Sequence, residues 1–297
     1  MTASGPYAAH SRVNGDPASG SEQDSGSPLS RGRAGIGAHE RVLRVALPVI
    51  VFAIVIAIWA AAVWFWQIKP YVLPAPGVVL QTLVTDWPLL SQSLLVTLLT
   101  TVEGFVLASL GGFILAVLFD LSRYVEYSLY PYAVILQVTP VIAIAPLLLV
   151  YLAQPTAVLV CAWIVAFFPV LANTTLGLRS VDRNLVDLFR LYGASPARVT
   201  WDLKLPAALP HALAGLRIAG GLSLVGAVAA EIAAGSGGAG SGLAFRIMEA
   251  QYRLNIPRMF AALLLLCVAG LVIFYLLALV NHLALHRWHE SALDGER

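Results

Sequence analysis

Few residues in this chain are of the types that carry chemistry, and those few are scattered. Its two cysteines, Cys161 and Cys267, lie in long apolar runs without the spacing of metal ligands, so we interpret both as small buried hydrophobic residues. Three histidines near the C-terminus, His282, His286 and His289, recur at i, i+4 and i+7, a spacing that would suit a metal. Histidines at the end of a helix also interact favourably with its dipole, and we favour that interpretation, with no metal bound.

The sequence also lacks the motifs of an enzyme. Only two lysines occur, Lys69 and Lys204, and neither follows a glycine, which excludes the phosphate-binding G-x-x-x-x-G-K-[ST] loop of an ATPase. We find no Ser-His-Asp set and no His-Glu-x-x-His motif. We therefore predict that the chain is not an enzyme and binds no cofactor, and that any ATP is hydrolysed by a partner subunit. A net charge of +2 gives no reason to expect a nucleic acid partner.

The elements that must position these residues are membrane helices. Hydrophobic residues make up 59% of the chain and charged residues 11%, against about 25% charged in a typical soluble domain. A bilayer core needs about 20 helical residues, and runs of that length with at most two charges predict six spans. The uncharged run over 127–178 is divided at Gln154-Pro155, where a helix would stop most easily. The predicted fold is an all-α polytopic membrane protein with spans over 45–68, 87–119, two within 127–178, 209–234 and 259–285.

The ends of the chain and its basic residues predict the orientation. Residues 1–40 are rich in Gly, Ser and Pro, which is typical of a disordered tail, and residues 291–297 form a second tail after a transmembrane domain over 41–290. If the first tail is inside, all but four of the 18 lysines and arginines lie on the inner face, as the positive-inside rule requires. We therefore expect both termini to be cytosolic. The largest inner loop then covers residues 179–208, between the fourth and fifth spans.

Two carboxylates inside predicted spans are candidates for a solute path. An ionisable group within the bilayer costs at least about 2.5 kcal/mol, so Glu103 is expected to face water or the protein interior. Its alternative is a position near the outer interface, if the second span starts late. Glu231 ends the fifth span just before the glycine-rich stretch 235–242, which suits a gate, a contact with a partner or a plain flexible turn. The alternative for Glu231 is an ion pair with Arg246 or Arg253.

Prolines in the third and fourth spans predict kinked or broken helices beside a cavity, because each removes a backbone donor. These prolines are Pro131, Pro140, Pro146, Pro155 and Pro169. The polar residues near them are weaker candidates for the path, namely Gln137, Thr139 and Asn173. Their alternative role is hydrogen bonding between helices.

The first part of the inner loop is predicted to be an amphipathic helix. Its charged residues Arg183, Asp187 and Arg190 recur at i, i+4 and i+7. Another face would carry the leucines at positions 185, 188 and 191. Such a helix outside the membrane is suited to docking on a partner, and its alternative role is only to tie the fourth and fifth spans together.

The second part of the loop is predicted to be a short helix after a glycine turn. Gly193 stands where the first helix needs a left-handed residue, and Ala194 follows it. Ser195 is suited to cap the next helix, and Pro196 fits its first turn. Leu205-Pro206 is expected to end this second helix.

The loop resembles a signature of the permease subunits of bacterial ATP-binding-cassette (ABC) importers, which reads E-A-A-x-x-x-G-x9-I-x-L-P. Asp187, Leu188 and Phe189 stand at the E-A-A positions, Gly193 at the glycine, Leu203 at the isoleucine and Leu205-Pro206 at the end. Further stretches over about residues 70–290 resemble the nitrate, sulfonate, taurine and thiamine-precursor subgroup. They are YVLPAPGVVLQTL, TPVIAIAP, FFPVLANTTLG, LPAALPHALAGLRIAGG and the pair Ala230-Glu231.

The resemblance implies the partners and the function. It implies a homodimer of this chain in the bacterial inner membrane, two ABC ATPase subunits, and an extracytoplasmic solute-binding protein. The ATPase would bind the inner loop, and its closure on ATP would turn the spans from inward-open to outward-open. The implied coupling residues are Asp187, Arg190, Gly193, Ala194, Ser195, Leu205 and Pro206. The implied solute is a small organic or anionic molecule such as a sulfonate, nitrate or a pyrimidine precursor.

A rival class remains open from the residues themselves. A proton-coupled secondary transporter could use broken helices together with the intramembrane carboxylates Glu103 and Glu231. Six spans are few for that class, and no inverted repeat is visible in the sequence.

Overall fold

The computed structural model describes residues 32–235 and 240–293, and every regular element within these ranges is a helix. Contacts divide the chain into two units, residues 1–57 and residues 58–297. The described part of the first unit consists of the beginning of helix α1. The helices are α1 (Gly32–Phe65), α2 (Pro76–Thr85), α3 (Trp87–Leu121), α4 (Arg123–Val138), α5 (Val141–Tyr151), α6 (Gln154–Arg179), α7 (Arg183–Leu191), α8 (Pro196–Val199), α9 (Leu205–Ala234), α10 (Leu243–Tyr252) and α11 (Ile256–Leu293).

The described helices account for the six predicted spans. Five of them are long and apolar enough to cross a membrane, over Ala46–Phe65, Trp87–Leu121, Gln154–Arg179, Pro196–Ala234 and Ile256–Leu285. Helices α4 and α5 are together long and apolar enough for a sixth span, although they are bent by 102° relative to each other. The predicted division at Gln154-Pro155 is confirmed, because α6 begins there with the proline in its first turn.

The third span is broken at Thr139-Pro140. A proline has no N–H to donate and also disfavours a helical conformation in the residue before it, so α4 ends at Val138 and α5 begins at Val141. This confirms the prediction of a broken helix. The other prolines behave differently, since Pro131, Pro146 and Pro169 lie inside α4, α5 and α6 without ending them.

Helices α3, α6 and α9 form the core of the domain. The side chains where they meet are mostly small, such as the buried Ala108 of α3, Ala166 of α6 and Ala219 of α9. Small residues let helix backbones approach closely, which is how helices gain contact area in a bilayer. Larger buried side chains of the same cluster include Phe119 and Leu171.

Helix α1 begins at Gly32, inside the segment 1–40 that the sequence predicts as disordered. Ala34, Ala38 and Glu40 favour a helix and extend α1 ahead of the apolar span. At the other end, α11 continues to Leu293, into the predicted tail 291–297. Residues 1–31 and 294–297 of the two tails lie outside the described ranges.

Two short helices and one cysteine differ from the sequence interpretation. Helices α2 and α10 were not predicted, because neither carries a long apolar run or a charged stripe. Cys161 is buried in α6 as predicted, but the prediction for Cys267 is wrong, since it is exposed on α11. The apolar part of α11 packs with few of its residues buried, so many of its side chains remain at the surface.

Candidate coupling loop and membrane path

Helix α7 is closed at both ends by local hydrogen bonds. At its start, the Asp182 side chain accepts a hydrogen bond from the Asn184 N–H at 2.9 Å, a cap that the sequence interpretation missed. At its end Gly193 has a φ of +77°, as predicted, and the Ala194 N–H donates to the carbonyl oxygen of Phe189 at 3.0 Å. The turn after α7 therefore depends on a left-handed residue, a conformation that costs most other residues about 1–2 kcal/mol.

The second loop helix begins as predicted but does not end as predicted. The Ser195 hydroxyl oxygen accepts a hydrogen bond from the Arg198 N–H at 3.3 Å, and Pro196 occupies the first turn. After α8 the chain passes through a π-helical turn, Thr200–Lys204, directly into α9. The prediction that Leu205-Pro206 ends this helix is therefore wrong.

A π-helical turn precedes Pro206, and the helix continues past this proline. The Leu205 N–H donates to the carbonyl oxygen of Thr200, five residues back instead of four. Pro206 then lies in the first turn of α9, where its missing N–H is not needed. The result is one helical rod over Pro196–Ala234 that runs from the loop through the fifth span.

The two faces of α7 have different surroundings. Its charged face, formed by Arg183, Asp187 and Arg190, lines a cavity between α7 and the ends of α3, α4 and α6. Its apolar face points away from the domain, with Leu188 exposed by 45% and Leu191 by 84%. No residue of α7 is buried, so this leucine face lacks a cover among the described residues.

A buried ion pair ties the loop to the C-terminal end of α3. The Asp120 side chain, which is 7% exposed, accepts hydrogen bonds from Lys204 Nζ at 2.7 Å and from the Thr200 hydroxyl at 2.6 Å. Both donors belong to the π-helical turn. A second pair, with Arg179 Nη2 2.5 Å from Glu126 Oε1, joins the end of α6 to the start of α4. The base of the loop is thus fixed to α3 as well as to α9.

Glu103 lies near the middle of the 35-residue helix α3. A helix rises 1.5 Å per residue, so each end of α3 is roughly 25 Å from Glu103. Its side chain is exposed on a face that otherwise carries large aliphatic residues such as Leu99 and Val106. A carboxylate within the bilayer core is stable only where it meets water or another polar group. We therefore expect this face of α3 to border something other than lipid.

Two of the three remaining polar path candidates form hydrogen bonds within their own helices. The Thr139 hydroxyl donates to the Ile135 carbonyl oxygen at 2.6 Å, and Asn173 Nδ2 donates to the Pro169 carbonyl oxygen at 2.8 Å. Gln137 is exposed beside the break between α4 and α5. Within the described ranges no hydrogen bond joins any two of the five path candidates. The structure distributes them along the spans and does not gather them into one site.

Glu231 is buried at the end of α9 and connects three helices. Its carboxylate, in a residue only 3% exposed, accepts hydrogen bonds from the Thr97 hydroxyl at 2.7 Å and from the Ala244 N–H at 3.0 Å. The Thr97 oxygen in turn accepts a hydrogen bond from the Leu243 N–H at 2.8 Å. These N–H groups open α10, whose positive dipole end also favours the carboxylate. Gly242 permits the contact, because a Cβ there would overlap the Glu231 carboxylate.

The ion pair considered for Glu231 does not form. Arg246 Nη1 lies 2.7 Å from a carboxylate oxygen of Glu249, and Arg253 Nη2 lies 2.9 Å from the other. The hydrogen bond from Arg246 holds the pKa of Glu249 below its usual value, against the smaller opposing effect of burial. Arginines of this segment therefore neutralise Glu249, and Glu231 is left to cap α10.

The histidine cluster stays a sequence-based hypothesis. His282 lies on α11, but the side chains of His286 and His289 are outside the described residues. Among the side chains that the structure describes, no group of three possible metal ligands occurs.

Comparison with known proteins assigns this helical bundle to a class, the ABC transporter permeases. Residues 108–285 match the family described as "Binding-protein-dependent transport system inner membrane component". The chain belongs to this family, whose members are permeases and not enzymes.

Similar proteins narrow the class further. A "Probable ABC transporter permease protein" of Haemophilus influenzae is 35% identical over 78% of this chain and 94% of the relative. The formylaminopyrimidine transport permease of Halalkalibacterium halodurans is 31% identical over 76% and 90%. The nitrate import permease of a Synechocystis species is 31% identical over 61% and 64%. These names agree with the nitrate, sulfonate, taurine and thiamine-precursor subgroup that the sequence motifs indicate, through its nitrate and pyrimidine members.

The fold has a counterpart among solved structures. A crystal structure of an amino acid ABC transporter with histidines superimposes with a TM-score of 0.56. The alignment includes 68% of this chain and 97% of the chain in that structure. At 22% identity this likeness shows the fold alone.

Proposed function

We propose that this chain is the transmembrane subunit of an ATP-driven importer, and that it forms the solute path and couples to a separate ATPase through the loop that contains α7. The exposed leucine face of α7 carries the proposal. Exposed apolar side chains grouped on one face of a helix outside the spans mark an interaction surface. Membership of the permease family supports an ABC ATPase as the partner that covers it.

The contacts at the base of the loop supply a physical route from the ATPase to the spans. Because α8 continues through the π-helical turn into α9, a displacement of the loop displaces the fifth span. Because Asp120 binds Lys204 and Thr200 of the same turn, the second span moves with it. Two arrangements of such packed helices provide alternating access, with ATP binding and hydrolysis driving the exchange.

The seven coupling residues have separate parts in this proposal. Asp187 and Arg190 belong to the charged face of α7, and their side chains approach to 3.5 Å. Gly193, Ala194 and Ser195 form the turn between α7 and α8. Leu205 and Pro206 carry the helix past the π-helical turn into the membrane.

The proposed assembly follows from the family description and the charge distribution. The chain lies in a bacterial inner membrane with α7 and both termini in the cytosol, since the basic residues concentrate on that face. It pairs with a second copy of itself, which would meet the Glu103 face of α3 and line the path. A solute-binding protein delivers solute from the other side, as the words "binding-protein-dependent" of the family description support.

Replacing Gly193 with valine is expected to lower ATP-dependent uptake by about 10-fold while leaving the amount of membrane-inserted protein unchanged. Valine in a left-handed turn costs at least about 1–2 kcal/mol, so the turn rearranges and α7 leaves its position. No atom lies within 4 Å of a Cβ built at this glycine, so the effect comes from the backbone alone. Uptake into proteoliposomes that contain the ATPase measures it.

Gly193→Asn is the matched control, because asparagine tolerates the left-handed conformation far better than valine does. It should retain most of the uptake. If both variants transport like the original chain, the conformation of this turn is irrelevant to coupling.

Whether Glu103 faces water is tested by the reaction rate of a cysteine placed at its position. In a chain with Cys267 replaced by serine, Glu103→Cys should react with a charged methanethiosulfonate at least 10-fold faster than Leu271→Cys, a residue on α11 that is 56% exposed. The reaction needs the thiolate and therefore water. Equal, slow labelling at both positions would show that Glu103 does not line an aqueous path.

We further propose a small organic or anionic solute, such as a sulfonate, nitrate or a pyrimidine precursor. The names of two relatives, a formylaminopyrimidine transport permease of Halalkalibacterium and a nitrate import permease of Synechocystis, support the pyrimidine precursor and nitrate in this range. Ligand binding by the solute-binding protein that acts with this chain identifies the solute.

Uptake with and without the ATPase separates the proposal from proton-coupled transport. The importer requires the ATPase and ATP, whereas a secondary transporter would accumulate solute from a proton gradient alone. Transport that persists in proteoliposomes containing only this chain contradicts the proposed function.

A further inference from the structure

A cavity of about 790 Å³ lies behind α7, between this helix and the ends of α3, α4 and α6. Its volume is within the range of small-ligand sites, roughly 300–1,000 Å³. The proposed function uses the leucine face of α7, which points away from the cavity. Arg183, which lies on the charged face of α7 and lines the cavity, has no role in the proposed coupling.

The lining of this cavity is positive. It contains three acidic residues, Asp120, Glu126 and Asp187, and five basic ones, Arg123, Arg179, Arg183, Arg190 and Lys204. Ion pairs engage each acidic residue with one basic residue, namely Lys204 with Asp120, Arg179 with Glu126 and Arg190 with Asp187. Two arginines remain after this pairing.

Arg123 and Arg183 form neither an ion pair nor a side-chain hydrogen bond with any residue in the described ranges. They lie on different elements, since Arg123 begins α4 and Arg183 begins α7. A guanidinium group presents a planar set of donors that matches the oxygens of a phosphate. Two such groups in one positively lined cavity are suited to hold a phosphate between them.

The surroundings of the cavity favour a lipid as the source of the phosphate. Tyr127 lines the cavity and is 70% exposed, and Tyr124, on the preceding turn of α4, is 86% exposed. Tyrosines concentrate where membrane meets water, with their rings at the level of the headgroups. Farther along α4, Leu129 and Ile135 are exposed apolar residues that acyl chains can contact.

We infer that this cavity binds a phosphate-bearing anion between Arg123 and Arg183, and that the headgroup of an anionic phospholipid of the inner leaflet supplies it. Basic pockets between membrane helices on the cytoplasmic side bind such headgroups. Only the assignment to the inner leaflet rests on the proposed function. A headgroup held there joins α7 to α4, so the lipid would stabilise the position of the loop.

Lipid retention by the purified full-length chain tests the inference. The chain is placed in nanodiscs of phosphatidylcholine with increasing phosphatidylglycerol, and the bound lipids are counted by native mass spectrometry. Each arginine near an anionic surface contributes about a 5-fold preference, so Arg123→Gln with Arg183→Gln should bind phosphatidylglycerol about 30-fold more weakly. Arg198→Gln is the matched control, because Arg198 lies on the same loop, is exposed and does not line the cavity.

A second arm distinguishes the two sources of phosphate. Inorganic phosphate is titrated onto the original chain and the double variant in nanodiscs of phosphatidylcholine alone. Binding of inorganic phosphate that depends on both arginines, without selective retention of phosphatidylglycerol, supports the phosphate site and overturns the lipid as its source.

Equal binding of both probes by the original chain and the double variant overturns the inference. So does an equal loss in Arg198→Gln, because the effect would then reflect the charge of the loop in general. These measurements use the chain without its ATPase, so their failure leaves the proposed coupling untouched. If the chain selects phosphatidylglycerol as expected but does not associate with an ATPase, only the proposed function is contradicted.

Discussion

Replacing Gly242 with alanine is expected to abolish solute uptake by the reconstituted transporter, although the substitution adds a single methyl group. A Cβ at this position overlaps the Glu231 carboxylate, which is fixed by hydrogen bonds to Thr97 and to the Ala244 N–H. Either α10 moves away or Glu231 loses its partners. Overpacking costs about 1–3 kcal/mol, and a buried carboxylate without partners costs more.

Two measurements follow the effect of Gly242→Ala. Uptake into proteoliposomes should fall at least 10-fold, and the thermal unfolding midpoint of the purified chain should decrease. Gly240→Ala is the matched control, because no atom lies within 4 Å of a Cβ built there. If Gly242→Ala keeps the uptake and the unfolding midpoint of the unsubstituted chain, the contact between α9 and α10 is not needed for transport or stability.

Replacing Asp120 with alanine is expected to uncouple ATP hydrolysis from transport. Lys204 would keep its charge in a position only 21% exposed, without its carboxylate partner. Removing one partner of a buried pair costs up to about 3–5 kcal/mol, and the partial exposure of Lys204 places this case at or below the low end. The base of the loop would no longer move α3. We expect uptake to fall at least 10-fold while the ATPase continues to hydrolyse ATP.

A charge exchange separates this ion pair from a general loss of stability. Asp120→Lys together with Lys204→Asp should regain part of the uptake that either single change removes. Arg198→Ala, which breaks the exposed pair between Arg198 and Asp202, should have little effect. If ATP hydrolysis stays coupled to solute uptake in Asp120→Ala, this ion pair is not the connection between the loop and the second span.

Local signals in the loop were readable from the sequence because they act over a few residues. Gly193 adopts the left-handed turn, and Ser195 and Pro196 open α8, as their types predict. The end of that helix was misread at Pro206, since proline usually stops a helix. Here a π-helical turn, which has no sequence signature of its own, precedes Pro206, and the chain continues into α9.

Contacts between distant segments were not readable. Thr97 and Glu231 lie in different spans, and nothing in their spacing indicates that they share a hydrogen bond. The same holds for Asp120 and the donors of the π-helical turn, which carry the proposed coupling. A signal did exist for Asp182, because an Asp just before a charged amphipathic stretch is a usual helix cap.

For α7, the spacing of charged residues and leucines predicts two faces but not which of them packs toward the domain. The spacing of the charges and leucines correctly placed them on separate faces. It did not indicate which face is turned toward the domain, and the charged one is, as Arg183 and Arg190 line the cavity. Orientation of a helix outside the membrane depends on its tertiary contacts, which are absent from a periodic pattern.

The central claim is that an ATPase in the cytosol binds the leucine face of α7, and cross-linking from Leu191 tests it most directly. Leu191→Cys, in a chain with Cys267 replaced by serine, is treated in native membranes with a short bifunctional reagent that joins a thiol to an amine. We predict a cross-link to the ATPase whose yield changes with ATP, and none from Tyr252→Cys, at the last residue of α10, where the tyrosine is 81% exposed. A cross-link from position 252 and none from 191, or labelling of 191 only from outside the cell, would contradict the account.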